Sequence, residues 1–183
     1  MTLPRIAWAA YAFAAIVVVI DQVSKAWVLT SLNMFDPAGG LIDKELWGYH
    51  AIAVIDGVFR ISFVANDGVS FGLFGGGAGR WILSVFSIAV AGMLGWWATR
   101  ADRRLLITAI GLVMGGALGN VIDRIRFGFV VDFLDFSATG VFPWVFNIAD
   151  SAICVGVALL VLDSFLSERK TAPAPVGAAP EKS

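Results

Sequence analysis

Four apolar segments set the first limit on what this chain can fold into. Residues 6–29 (IAWAAYAFAAIVVVIDQVSKAWVL), 81–98 (WILSVFSIAVAGMLGWWA), 105–122 (LLITAIGLVMGGALGNVI) and 148–166 each have the length and apolarity of a bilayer span, which takes about 20 residues of helix. Hydrocarbon offers no water to backbone N–H and C=O groups, so each span must be a helix that satisfies them internally. Composition agrees, with 58% of the 183 residues hydrophobic and 15% charged, against about 25% charged in a soluble domain. The expected architecture is a mainly α integral membrane protein with four transmembrane helices. In the third span, Gly111, Gly115, Gly116 and Gly119 give small-xxx-small spacing, which lets neighbouring helices come close.

Arg5 before the first run resembles the start of a secretory signal, but no small-x-small cleavage site closes that run. It is read as a retained helix. Arg5, then Arg100, Arg103 and Arg104, then Arg169 and Lys170 fall on one side of a four-span topology. The positive-inside rule makes that side, with both termini, cytoplasmic. The other side carries the two longer connections, residues 31–80 and 123–147, and also Lys44, Arg60, Arg80, Arg124 and Arg126. In the first connection Asp56-Gly57 predicts a two-residue hairpin turn, and Phe59, Ile61 and Phe63 alternate with Arg60 and Ser62 as in a half-buried strand. FGFVVDFLDF in the second connection is also strand-like, so a small β-rich platform is expected on the outer (extracytoplasmic) side. GGGAG at 75–79 is a flexible entry to the second span, and no role is assigned to 36–50. Residues 1–170 are expected to form a single membrane-embedded domain, and 171–183, rich in Pro and Ala, a disordered cytoplasmic tail.

Chemistry is narrowed by what the chain lacks. A net charge of −1 gives no basic field for nucleic acid. One cysteine, Cys154, and one histidine, His50, leave no internal disulfide, no cysteine or multi-histidine metal site and no histidine triad. No metal and no cofactor are implied. Carboxylates, Lys, Ser and Tyr remain, and the costly polar side chains of the spans gather at one depth, near the outer interface. Asp21, Gln22, Ser24 and Lys25 lie in the outward half of the first span, and Asn120, Asp123 and Arg124 at the outward end of the third. Asn147 and Asp150 open the fourth, while Asn66 and Asp67 precede the second. Ionisable residues in a membrane mark function by default. Each group also has a plainer explanation. Asp21 and Lys25, at i,i+4, neutralise one another; Asn147 and Asp150 match an N-cap and its N3 acid. If Asp150 does chemistry it needs a partner, and Asp123, Asp132 and Asp135 are the candidates. Asp163 lies about 20 Å further along the helix and is interfacial. Two carboxyls in a dry site share one proton, so one can accept a proton from water while the other donates. The helix N-terminus favours the charged form of Asp150.

DQVSK (21–25), NDGVSFG (66–72), GGALGNVIDR (115–124), VVDF (130–133) and FNIAD (146–150), in this order, resemble the motifs of bacterial lipoprotein signal peptidase (signal peptidase II). The resemblance runs from the first span to the fourth. It implies an aspartic endopeptidase of the bacterial cytoplasmic (inner) membrane that removes the signal peptide of a prolipoprotein just before its diacylglyceryl cysteine. It implies a catalytic pair, Asp132 and Asp150, and substrate-binding or supporting roles for Asp21, Lys25, Asn66, Asn120, Asp123, Arg124 and Asn147. It further implies contact with membrane lipid, action as a monomer, inhibition by the cyclic peptide globomycin and no nucleic-acid partner. In the second motif Asp67 stands where the family usually has Thr, and Val69 where it has Ala.

The rival class is an ion- or proton-coupled transporter subunit, which predicts carboxylates spread through the depth of the bilayer. A Ser24/Lys25 peptidase is disfavoured because adjacent helical residues do not face each other. A membrane scaffold would leave the polar cluster without a purpose.

Overall fold

The computed structural model describes residues 5–36, 40–42, 50–68 and 78–171. The greater part of segment 36–50, the end of the NDGVSFG motif, most of GGGAG and the tail from 172 lie outside the described residues. Four helices form, α1 (Arg5–Ser31), α2 (Ala78–Ala98), α3 (Arg104–Arg126) and α4 (Ile148–Thr171). All four are long and apolar enough to cross a membrane. Four strands, β1 (Ala51–Ile55), β2 (Phe59–Asn66), β3 (Val130–Asp135) and β4 (Val145–Phe146), pair antiparallel in the order β1-β2-β3-β4. The two connections predicted to make a platform thus contribute two strands each to one sheet.

Helix α3 is the axis of the bundle. Of its most apolar stretch 72% is buried, against 28% for α1, 28% for α2 and 17% for α4. Its glycines make that possible: a Cβ on Gly115 would stand 2.7 Å from the Ala14 carbonyl oxygen, and one on Gly116 2.3 Å from that of Ala149. Small residues therefore bring α1 and α4 against the α3 backbone, as dispersion-driven packing in lipid requires. The outward faces keep large apolar side chains such as Ile16, Val19, Phe86, Val155 and Phe165, the pattern of a surface solvated by lipid. Tryptophans mark both ends, Trp27 and Trp81 beside the sheet and Trp8, Trp96 and Trp97 at the far end, where amphipathic rings anchor a span at the interface.

The helices run past the expected spans, α2 starting at Ala78, inside GGGAG, rather than at 81 and α4 ending at Thr171 rather than 166. Helix α3 runs through Arg126 rather than ending at 122. Asp123 does not stop it, because its charge is met by α1, and the turn out of the helix comes only at Gly128, with φ +88°. The β1–β2 loop has three residues instead of two, since Ile55 pairs with Phe59. A two-residue primed turn needs positive φ at its first position, and here only Gly57 has it, at +71°.

The sheet is held over the end of α1. Val131 and Phe133 of β3 join Val28, Leu29, Leu32 and Met34 in one buried cluster with Phe63. Side chains alternate along a strand, so Asp132, between those two anchors, points to the opposite face.

Candidate active site

Most polar residues of the site at the sheet end of the bundle are held by an element other than their own. On α1, Lys25 is 2% exposed and its Nζ lies 2.8 Å from Asp21, 2.7 Å from Asp123 and 3.2 Å from the Asn120 side-chain oxygen, to which it donates. The expected pairing of Asp21 with Lys25 exists, but it is one edge of a buried triad joining α1 to α3. Asp21 accepts, in addition, the backbone N–H of Ala149 at 3.0 Å. A carboxylate of α1 therefore caps the first turn of α4. Asp123 accepts the Val131 N–H at 3.1 Å, which ties the start of β3 to α3.

Asn147 is the hinge of the arrangement. It is fully buried, and its Nδ2 donates to Asp132 Oδ1 at 2.7 Å, with longer contacts to Asn120 Oδ1 and the Val131 carbonyl. Its Oδ1 accepts the Asp150 N–H at 2.9 Å, and its own N–H donates to Asp150 Oδ2 at 3.3 Å. That is the capping box expected from the sequence, and it is also a bridge between two carboxyls. Asp150 Oδ1 accepts from Asn120 Nδ2 at 2.8 Å. Asp132 Oδ2 accepts from Asn66 Nδ2 at 2.9 Å, while Asn66 Oδ1 accepts the Gly68 N–H at 2.9 Å. Gly68 has φ +70°, and a Cβ there would lie 2.5 Å from Leu83, so the turn after Asn66 requires glycine.

The candidate partners of Asp150 are separated by these contacts. Asp123 is engaged by Lys25, and Asp135 by Arg60. Asp132 is the one that shares Asn147 with Asp150, and its donors are neutral amides. Burial, then the nearby charge of Asp150, push the Asp132 carboxyl up to about 7, against the partial opposition of its hydrogen bonds from Asn66 and Asn147. Arg124 is drawn electrostatically toward Asp150, Asp123 and Asp132, and its Nε is buried with no acceptor among the described residues.

Among the described residues, two cavities open onto the pair. One, of about 560 Å³, has Asp132 and Asn66 in its wall beside Gly68 and Trp144. The other, of about 300 Å³, has Asp150, Asn120 and Arg124 at one end and runs down between Phe86, Val90 and Ile153 of α2 and α4. The second lies between α2 and α4, whose outward faces are apolar.

All nine residues singled out from the sequence lie in or beside this network. Gln22, counted in the polar cluster of the first span but given no site role, belongs with them. Its Nε2 donates to Asp123 at 2.8 Å and to the Gly119 carbonyl at 3.2 Å. Its place one residue after Asp21 on the outward half of α1 was the available signal. The ion pair of Asp135 with Arg60, buttressed by Ser62, was also not foreseen.

Fold and site together define a multi-pass helical membrane protein with a carboxyl-centred polar site at one end of its bundle. Residues 13–166 match the family model described as signal peptidase (SPase) II. A lipoprotein signal peptidase of Caulobacter vibrioides is 49% identical over 92% of this chain and 93% of its own, and one of Shewanella loihica is 41% identical over 87% and 88%. A bacterial membrane enzyme solved by the in meso method at 2.3 Å superposes with a TM-score of 0.68 at 26% identity, covering 92% of this chain and 94% of that one. A second such enzyme, solved at 1.9 Å, has the same TM-score at 29% identity over 85% and 91%. The chain belongs to the signal peptidase II family. It is a bacterial multi-pass membrane peptidase that cleaves the signal peptides of prolipoproteins.

Proposed function

We propose that Asp132 and Asp150 are the catalytic carboxyls of that cleavage, and that the bond cut is the one just before a diacylglyceryl-modified cysteine. The observation that carries this reading is Asn147, whose side-chain amide donates to the Asp132 carboxyl and whose backbone N–H donates to the Asp150 carboxyl. Asp132, with its carboxyl raised to about 7, holds the proton, and Asp150 is the base. A water molecule gives a proton to Asp150 as its oxygen attacks the scissile carbonyl carbon, and Asp132 donates its proton to the carbonyl oxygen. Collapse of the tetrahedral intermediate breaks the C–N bond as Asp150 passes the proton it took to the leaving nitrogen and one hydroxyl of the intermediate returns its proton to Asp132. Arg124 and Asn120, beside Asp150, hold the substrate backbone at the head of the lipid-side cavity. Lys25, Asp21 and Asp123 keep α4 and β3 in register beneath the pair.

The chain works as a single membrane domain over residues 1–170, as a monomer in contact with membrane lipid. It lies in the cytoplasmic membrane with both termini cytoplasmic and the sheet on the outer side. The transporter reading has no support, because the carboxylates of α1, α3, β3 and the start of α4 gather at one end. The test is processing of a diacylglyceryl-modified precursor by the purified protein, with and without globomycin. Cleavage blocked by globomycin and lost in Asp132→Asn or Asp150→Asn is expected. Full cleavage by either variant removes that residue from the pair.

A further inference from the structure

The pairing of β2 with β3 changes register once, and the change decides where Asn66 stands. On one side of it Arg60 opposes Asp135 and Ile61 opposes Leu134; on the other Val64 opposes Asp132 and Asn66 opposes Val130. Between them β2 has Ser62 and Phe63 where β3 has only Phe133, a one-residue bulge. Directly opposed residues of an antiparallel pair share a face, and alternate residues along a strand share it too. Asn66, two residues on from Val64, therefore stands on the face of Asp132 and reaches it at 2.9 Å. Without the bulge, Phe63 would oppose Asp132 and Asn66 would turn to the other face.

Something must hold the bulge in place, and the contacts beside it do. The carboxylate of Asp135, 2% exposed, accepts hydrogen bonds from the Arg60 guanidinium, from Ser62 Oγ at 3.0 Å and from the Ser137 N–H at 2.9 Å. Ser62 is itself one of the two bulged residues. We infer that Asp135, gripped by Arg60 and Ser62, is a positioning residue for the peptidase reaction: it locks the register of β2 on β3 and so presents Asn66 to Asp132. Asp135 does not touch substrate. It acts through Asn66, and the inference rests on the reading of Asp132 as a catalytic carboxyl.

A double-mutant cycle on the purified full-length chain tests it, with kcat, KM and melting temperature measured on a lipoprotein precursor. Asp135→Asn in the native background is expected to lower kcat about tenfold with KM changed less than about twofold. In an Asn66→Ala background the same substitution is expected to lower kcat by less than about twofold, while the melting temperature falls equally in both. A purely structural role predicts the same loss of kcat in both backgrounds, or none per folded enzyme, and either result overturns the inference. Should Asp135→Asn fail to accumulate, Ser62→Ala removes a single donor and follows the same logic, with about a threefold loss expected in the native background only. Undiminished cleavage by Asp132→Asn would instead remove the underlying assignment, a result distinct from additivity in the cycle.

Discussion

Asp132 and Asp135 lie three residues apart on one strand, both buried, and their surroundings drive them in opposite directions. Burial raises both. At Asp132 the nearby charge of Asp150 adds to it, and two neutral amides offset only part, leaving the carboxyl at about 7. At Asp135 hydrogen bonds from Ser137, Arg60 and Ser62 outweigh burial and hold it down at about 2. The far end of the bundle repeats the second pattern, where the buried Asp163 carboxylate pairs with the Arg103 guanidinium at 2.9 Å. A guanidinium fixes the charge and makes a carboxylate structural. Amide donors beside a second carboxyl leave the proton free to move, which is what acid–base chemistry needs.

The largest effect that would break this comparison is on catalysis. Asp132→Asn and Asp150→Asn should each reduce cleavage by about a thousandfold or more, the scale of positioned acid–base groups, measured as processing of lipidated precursor. Asp132→Asn should leave the melting temperature unchanged or raised above pH 7, since the amide imitates the neutral form that the site prefers.

Lys25 comes next, as the one cation shared by Asp21 and Asp123. Lys25→Ala leaves two carboxylates buried without it, and a loss of about 3–5 kcal/mol is expected, read as a lowered melting temperature or as failure to accumulate in the membrane.

The pH dependence separates the two strand carboxyls by sign. Asp132 has a folded value, about 7, above its ordinary 3.8, so its contribution to stability is full below 3.8 and is lost as pH rises through 7. Asp135, at about 2 against 3.8, contributes above 3.8, and that contribution is lost as pH falls through 2. Cleavage should decline by about tenfold per unit once Asp132 ionises above about pH 7. A rate that is flat from pH 6 to 9 would assign the proton elsewhere.

The smallest effect lies at the far end. Asp163→Asn loosens a contact to a partly exposed Arg103, so a change within about 1 kcal/mol is expected, with cleavage per folded enzyme unchanged. A large loss of activity there would mean that both ends serve the reaction.

Much of this molecule was legible in its sequence, for a physical reason. Lipid leaves a chain few options, so four apolar runs meant four helices, and the glycines of 111–119 meant that helices could approach closely in a bundle. The polar residues stood out because each is costly at that depth. The motif order also pointed to Asp132 and Asp150, although spacing alone left Asp123 and Asp135 open as partners. What spacing could not show was who meets whom. Asp123 and Asp135 read like Asp132 until Lys25, 98 residues from one, and Arg60, 75 from the other, are seen to claim them. Gln22 stood in the same polar cluster as Asp21 without an assigned role for the same reason.

By itself, then, the sequence determined that this chain crosses a membrane four times and gathers most of the costly polar residues of its spans at one end, because hydrophobicity and its violations are local properties. Only the tertiary structure decided which acids are neutralised and which share a proton. That depends on long-range contacts such as Asn147 with Asp132 and Asn120 with Asp150, and on a single bulge that turns Asn66 toward Asp132. A charge is written in the sequence; its partner is chosen by the fold.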